Sequence, residues 1–328
     1  MKDSIDKIIV AILTGKDYRP FVLETINRRF LDNVQNALIR IFEARQRSDR
    51  KDWWERELVS GSKDVKDILW FGGLNKKTVV SMEGTAKKEV CLRLSQLNLK
   101  TFDALLRDTS PENLARVEIK LIYRGKVVLL SEEESLFLLN TIGAMRLTLQ
   151  GGAWSEVGKK AEKRLLFILF EMLGIPQENY LLVFSEMIRR EILPNGKREI
   201  DAIVYTDDKR ILKVELKLLA ANPEVGDEAF SRGVELFLVD RLSETMIEDG
   251  KRHGVTVIQF RNQDALTELY NFFKASGVTV KKPGTQNIPR QVKQLSRQYD
   301  EEQQKFELLR KAKSLLTSSK TKRRVRGK

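Results

Sequence analysis

The apolar positions of this 328-residue chain change period once along its length. Up to about residue 110 they recur at steps of three and four, as in YRPFVLETINRRFLDNVQNALIRIFEARQRSDR at 18–50, which predicts a mainly helical region. Within it, DVKDILWFGGLNKKTVVSMEGTAKKEVCLRLSQ at 64–96 predicts a helix, a glycine-containing turn and a second helix. Asn75 would cap that second helix, with Lys76, Lys77 and Thr78 in its first turn. The outline fits a DNA-reading helix-turn-helix, and it also fits an ordinary helical hairpin. Residues 117–130, VEIKLIYRGKVVLL, predict a β-hairpin turning at Arg124 and Gly125. Ser131 and Glu134 then stand in capping-box spacing ahead of an apolar helix, which the Gly151-Gly152 pair is expected to break.

Beyond residue 153 the pattern shortens into alternating strands and helices. It predicts a helix at 155–173, strands at 180–188, 199–206 and 211–219, a short helix at 224–232, a strand at 234–240, a helix at 243–252, a strand at 255–260 and a helix at 264–275. Strands joined by short turns pair antiparallel, and strands separated by helices pair parallel. This order, which opens αβββαβα, therefore gives an α/β (α+β) fold with a central mixed sheet flanked by helices. The expected organisation is a mainly helical region over 1–150, a candidate for DNA recognition or dimerisation, and an α/β core over 151–280. Residues 281–328 follow as a linker, a charged helix at 290–316 and a basic tail.

Composition narrows the function classes. Apolar residues make up 41 % of the chain, enough for a substantial core, yet the longest apolar runs, IIVAIL at 8–13 and LLFILF at 165–170, are far too short to span a bilayer. Asp3 and Asp6 precede the first run, which argues against a secretory signal and places the protein in the cytoplasm. A single cysteine, Cys91, and a single histidine, His253, exclude a disulfide framework and a Cys/His zinc site. No GxxxxGK[ST] loop offers a site for ATP. The net charge is +13, and residues 311–328 alone hold eight Lys or Arg and no acid. That end reads as a disordered tail drawn to polyanions, or as a solvated terminus.

The chemistry concentrates in REIDAIVYTDDKRILKVELK at 198–217. In ILKVELKL the side chains alternate, so Lys213, Glu215 and Lys217 share one face and Leu212, Val214, Leu216 and Leu218 the other. Alone this reads as a half-buried strand with a charged outer face. Asp201 changes that, because a carboxylate between Ile200 and Ala202 in an apolar strand needs a partner. If TDDKR at 206–210 is the turn, Asp201 lies opposite Glu215 or one residue off it. Two adjacent carboxylates repel unless one is protonated or a cation lies between them, and Mg²⁺ suits an all-oxygen site completed by water and a phosphate. With Lys217 beside them to position or activate water, the trio suits phosphodiester hydrolysis.

The motif ID at 200–201, a hairpin-length gap and ELK at 215–217 resembles the PD-(D/E)xK nuclease superfamily of most type II restriction endonucleases. Ile200 stands where the motif has proline. The superfamily core, αβββαβ, matches the order over 155–260, and the resemblance implies a Mg²⁺-dependent nuclease on double-stranded DNA, leaving a 5′-phosphate and usually acting as a homodimer. It also implies an acid from the first helix after a glycine. Gly158 followed by Glu162 offers one, on the same helical face as Leu165, Leu166 and Leu169, with an ordinary helix-end acid as the alternative. Glu156 and Glu171 fit that face less well. In these terms Asp201 and Glu215 are metal ligands, Glu162 a further metal contact and Lys217 the water-positioning group, while Arg189, Arg190 and Arg232 are candidates to touch DNA. Segments such as DWWERELVSG, GLNKKTV and GGAWSEVGKKAEK further resemble the CfrBI-type restriction endonucleases, a family associated with CCWWGG-like sites. Two other readings are a helix-turn-helix DNA-binding protein without catalysis and a recombination or repair nuclease of the same superfamily.

Overall fold

The computed structural model describes residues 2–108, 116–182, 200–218, 233–260, 264–284 and 286–325. The chain divides into two compact units, Met1–Val22 with Glu156–Lys328 and, separately, Leu23–Ser155. Helices α1 (Lys2–Leu13), α2 (Arg19–Arg47), α3 (Trp53–Leu58), α4 (Val65–Phe71), α5 (Lys76–Glu83) and α6 (Lys88–Asp108) fill the first third, as the spacing predicts. Strands β1 (Lys120–Tyr123) and β2 (Lys126–Leu129) form a separate antiparallel hairpin, followed by the long helix α7 (Glu132–Met172).

The Leu23–Ser155 unit is organised around indole and phenyl rings. Trp54 meets Trp53, Phe71 and Phe137 at centroid distances of 5.3, 6.3 and 5.7 Å, and its Nε1–H donates to the Phe71 carbonyl at 3.0 Å. The 64–96 segment turns at Gly72 and Gly73 because nothing larger fits there. A Cβ on Gly72 would lie 2.3 Å from the Ser95 Cβ, and Gly73 adopts φ +71° against Asn140. The segment then yields two helices rather than one, α5 and the start of α6, and the Asn75 side chain caps α5 by accepting from Thr78 N–H at 3.1 Å. The capping box also forms: Ser131 Oγ accepts from Glu134 N–H at 3.2 Å, and Glu134 Oε2 accepts from Ser131 N–H at 2.9 Å.

Two boundaries expected from sequence are corrected. Helix α7 continues through Gly151 and Gly152; a helical glycine costs about 1 kcal/mol relative to alanine, which good helix formers on either side offset. The C-terminal helix α10 (Ile288–Val325) extends well into the segment expected to be a disordered tail. Residues 311–325 are mostly Lys, Arg, Leu, Ala and Ser, with neither Pro nor Gly to stop a helix.

The other unit holds a five-stranded sheet in the order β3-β4-β5-β6-β7, with β3 (Tyr180–Leu182), β4 (Ala202–Tyr205), β5 (Ile211–Lys217), β6 (Leu236–Val239) and β7 (Thr256–Gln259). The first three pair antiparallel and β5, β6 and β7 pair parallel, giving the mixed α/β sheet of a restriction-endonuclease-like fold. Every residue of β6 is buried, as a strand covered on both faces requires. Helices α8 (Glu244–His253) and α9 (Ala265–Ala275) follow β6 and β7, as expected. Phe170 of α7 packs on Phe273 of α9 at 6.0 Å, and Met246 of α8 joins Val234, Phe237, Val239 and Val255 in a second small core. The rest of the predicted 180–188 strand and the 224–232 helix lie outside the described residues. Arg164, almost fully buried in α7, donates to Asp6 of α1 at 2.9 Å and to Asp300 of α10 at 2.6 Å, tying both terminal helices to the helix that carries Glu162.

Candidate active site

The site begins with a turn. Lys209 N–H donates to the Thr206 carbonyl at 2.9 Å and Lys209 takes φ +67°, while Arg210 N–H donates to Thr206 Oγ1 at 2.8 Å. This compact loop fixes the pairing of Tyr205 with Ile211 and hence of Ala202 with Val214. The ladder ends at that pair, and just before β4 Asp201 N–H donates to the carbonyl of Val214, the chain neighbour of Glu215, at 3.3 Å. A slip of one residue would turn Asp201 to the opposite face.

Glu215 is 1 % exposed, yet a carboxylate in that position is accommodated by charge. Lys217 is its i+2 neighbour on the same strand face, and its Nζ reaches Glu215 Oε1 at 3.3 Å. Parallel pairing places Phe237 beside Glu215 and Val239 beside Lys217, an apolar flank that helps bury Glu215. Asp201 is steadied by the backbone of the partner strand, its Oδ2 accepting from Leu216 N–H at 3.0 Å. Glu162 arrives from α7. It is 6 % exposed, and its Oε1 accepts from Leu218 N–H at 2.9 Å, just past the end of β5. The helical-face argument from sequence and the structure agree that this side chain points to the sheet.

The three acids and the lysine act on one another electrostatically. Burial, and after it the charge of Asp201, pushes the Glu162 carboxyl up to about 7. Burial lowers the pKa of Lys217, but the charges of Asp201, Glu215 and Glu162 outweigh it, so the ammonium is held more firmly than in an ordinary lysine. Among the described residues no three His, Cys, Asp or Glu side chains are gathered at metal-holding spacing. The donor set nevertheless fits a hard divalent cation in kind, being all carboxylate oxygen, and a cation among these acids would relieve the repulsion that raises Glu162.

Other residues fall elsewhere. Glu156 pairs with Lys160 at 2.6 Å and Glu171 accepts from Tyr180 OH at 2.7 Å, leaving Glu162 as the inward acid of the three. Lys76 and Lys77 are exposed on the first turn of α5. Arg189, Arg190 and Arg232 lie outside the described residues. Cys91 is fully buried in the helical core and His253 is the last residue of α8. Asp240, 8 % exposed at the C-terminal end of β6, donates its N–H to the Lys217 carbonyl at 3.3 Å and was not singled out from sequence. Its signal was available, since an acid ends the otherwise apolar run LFLV at the strand end where α/β sheets bind ligands. No helix among the described residues is long and apolar enough to cross a membrane.

Comparison with known proteins bears on this geometry. No curated protein and no solved structure matches the chain. The family model described as CfrBI restriction endonuclease matches residues 2–247, three quarters of the sequence, including both strands and the helix that carry the site. A chain with that match and this acid-and-lysine hairpin belongs to the CfrBI restriction endonuclease family and is a DNA endonuclease.

Proposed function

We propose that the protein is a Mg²⁺-dependent type II enzyme hydrolysing phosphodiester bonds of double-stranded DNA at a short specific site, working in the cytoplasm as a homodimer. The observation that carries the chemistry is Asp201 held to β5 by the Val214 carbonyl and the Leu216 N–H, with Lys217 on Glu215 of the same strand at 3.3 Å. Asp201 and Glu215 would hold the cation, and Glu162 would be a further ligand, directly or through water. A bound divalent cation supplies positive charge to the phosphodiester and makes a coordinated water more acidic. Lys217 remains an ammonium among three carboxylates. Its part would be to position the attacking water and to counter charge that grows on the phosphate. The Leu216 and Leu218 N–H groups fix the Asp201 and Glu162 carboxylates from behind, so the acids keep their aim as substrate enters. Lys76 and Lys77 would add phosphate contacts, each contributing about 0.9 to the salt slope on duplex DNA.

The test is a digest of long natural DNA, and of DNA bearing a CCWWGG site, with Mg²⁺ and with EDTA. Discrete fragments in Mg²⁺ alone are expected. A sequence-independent smear would remove the specificity, and intact DNA in every divalent cation would overturn the catalytic assignment. Sedimentation of the free protein tests the dimer.

A further inference from the structure

The β1–β2 hairpin, unused by the reading above, carries exposed aliphatic side chains ringed by cations. Its inner face explains its place in the fold. Leu121 pairs with Val128, both buried, and Tyr123 packs edge-on against Phe42 at 5.7 Å. Ile119 N–H donates to Ser135 Oγ at 3.0 Å, and Leu130 N–H to the Ile119 carbonyl at 2.9 Å, which anchors the ribbon to the start of α7. The outer face has no such account. Lys120 pairs with Leu129 and Ile122 with Val127, and the three aliphatics are 67 % (Ile122), 53 % (Val127) and 59 % (Leu129) exposed.

Charge says what such a face meets. Residues 116–130 hold Arg116, Lys120, Arg124 and Lys126 against a single acid, Glu118, and all five are exposed. Arg124 occupies the first turn position at φ +51°, followed by Gly125 at φ +73°. An asparagine would take that conformation with less strain, so an arginine there indicates a use for its charge, although its stacking on Tyr123 at 5.0 Å returns part of the strain. A second copy of the chain laid on this face would bring two clusters of cations together, and lysines on both strands oppose edge-to-edge pairing. A polyanion would be attracted instead. The dimensions agree: two strands about 4.8 Å apart and four residues, about 13 Å, long suit a major groove about 12 Å wide, which admits a two-stranded ribbon.

We infer that the β1–β2 hairpin enters the major groove of duplex DNA, with Lys120, Arg124 and Lys126 on phosphates or guanine edges and Ile122, Val127 and Leu129 against base edges such as thymine methyls. This rests on the reading of the chain as a DNA endonuclease and makes the hairpin a source of its site preference. The full chain is titrated in EDTA with a short fluorescent duplex of mixed sequence over a range of salt. The combined variant Lys120→Gln, Arg124→Asn, Lys126→Gln, chosen so that Asn keeps the turn, should lower the log–log salt slope by about 2–3, since each duplex phosphate contact contributes about 0.9. Should that protein melt early, the single changes Lys120→Gln and Lys126→Gln should each lower it by about one contact's worth. The variant Ile122→Ser, Val127→Ser, Leu129→Ser should keep the slope and, with Mg²⁺, lose about tenfold of its preference for cognate DNA, seen as extra fragments. An unchanged slope in the cation variants overturns the inference, and so does an unchanged slope joined to a dimer that falls apart in sedimentation, which would assign the face to a second copy. Because the binding arm uses EDTA, wild-type protein that binds through the hairpin but never cuts would sink the catalytic reading and leave this one standing.

Discussion

The two β-hairpins of this chain invert each other's chemistry. Between β4 and β5, ionisable side chains are buried: Glu215 is 1 % exposed, and Glu162 packs against the strand end with its carboxyl raised to about 7. Between β1 and β2, aliphatic side chains are exposed and the cations stand around them. Each arrangement is unfavourable as folding. A buried carboxylate loses hydration and an exposed isoleucine keeps its hydration cost. Each is compatible with a surface or cleft that is completed by something other than this chain, a cation and a phosphodiester in one case and the grooves of DNA in the other. The ordinary face of each hairpin, Leu212, Val214 and Leu216 in one and Leu121 and Val128 in the other, holds it in place.

The largest effect expected from breaking this contrast is on chemistry. Glu215→Ala or Lys217→Ala should lower cleavage about 10³-fold, roughly 4 kcal/mol in the barrier, while duplex binding in EDTA stays within a few-fold; single-turnover cleavage and anisotropy check both. Next in size is the inner face of the exposed hairpin. Leu121→Ala should cost about 2–4 kcal/mol of stability, read from urea unfolding.

A smaller and pH-dependent effect is expected at Glu162. Its folded pKa, about 7, lies above the ordinary 4.5, so the folded state holds the proton more tightly and this contribution to stability is present in full below 4.5. It is lost as pH rises through about 7. Glu162→Gln keeps the oxygen that accepts from Leu218 N–H and removes the charge. It should therefore raise stability at pH 8 by roughly 2–3 kcal/mol in cation-free buffer, with little gain near pH 4.5, and at the same time depress Mg²⁺-dependent cleavage. Thermal melts at the two pH values decide this, and an equal gain at both would mean that the charge is not the cause. The smallest effect belongs to the exposed hairpin face, where Ile122→Thr should leave stability within about 0.5 kcal/mol. A large loss there would show that the side chain already has a partner within the chain.

Much of this was readable from the chain. The period of two in ILKVELKL put Glu215 and Lys217 on one face, and the turn residues of TDDKR brought Asp201 within one residue of its partner. The family match decides for catalysis over the silent helix-turn-helix protein. Local sequence was less able to end α7, because a Gly-Gly pair costs only about 2 kcal/mol in a helix and 41 residues of mostly good helix formers continue across it. It likewise stopped α10 too early, where a run of cations looked like a solvated tail. LFLVD marks Asp240 as an acid ending an apolar strand, but only the parallel pairing of β5 with β6 puts that strand end beside Lys217.

By itself, then, the sequence determined the element order among the described residues, the alternation that pairs an acid with a lysine, and the two turns, because these depend on residues within a few positions of one another. Tertiary structure decided the rest. It held Asp201 to β5 through the Val214 carbonyl and the Leu216 N–H, brought Glu162 to the Leu218 amide from 56 residues away, and raised its pKa through burial and the Asp201 charge. It also left Ile122, Val127 and Leu129 facing outward. Register, burial and long-range charge are properties of packed strands and helices, and no local pattern encodes them.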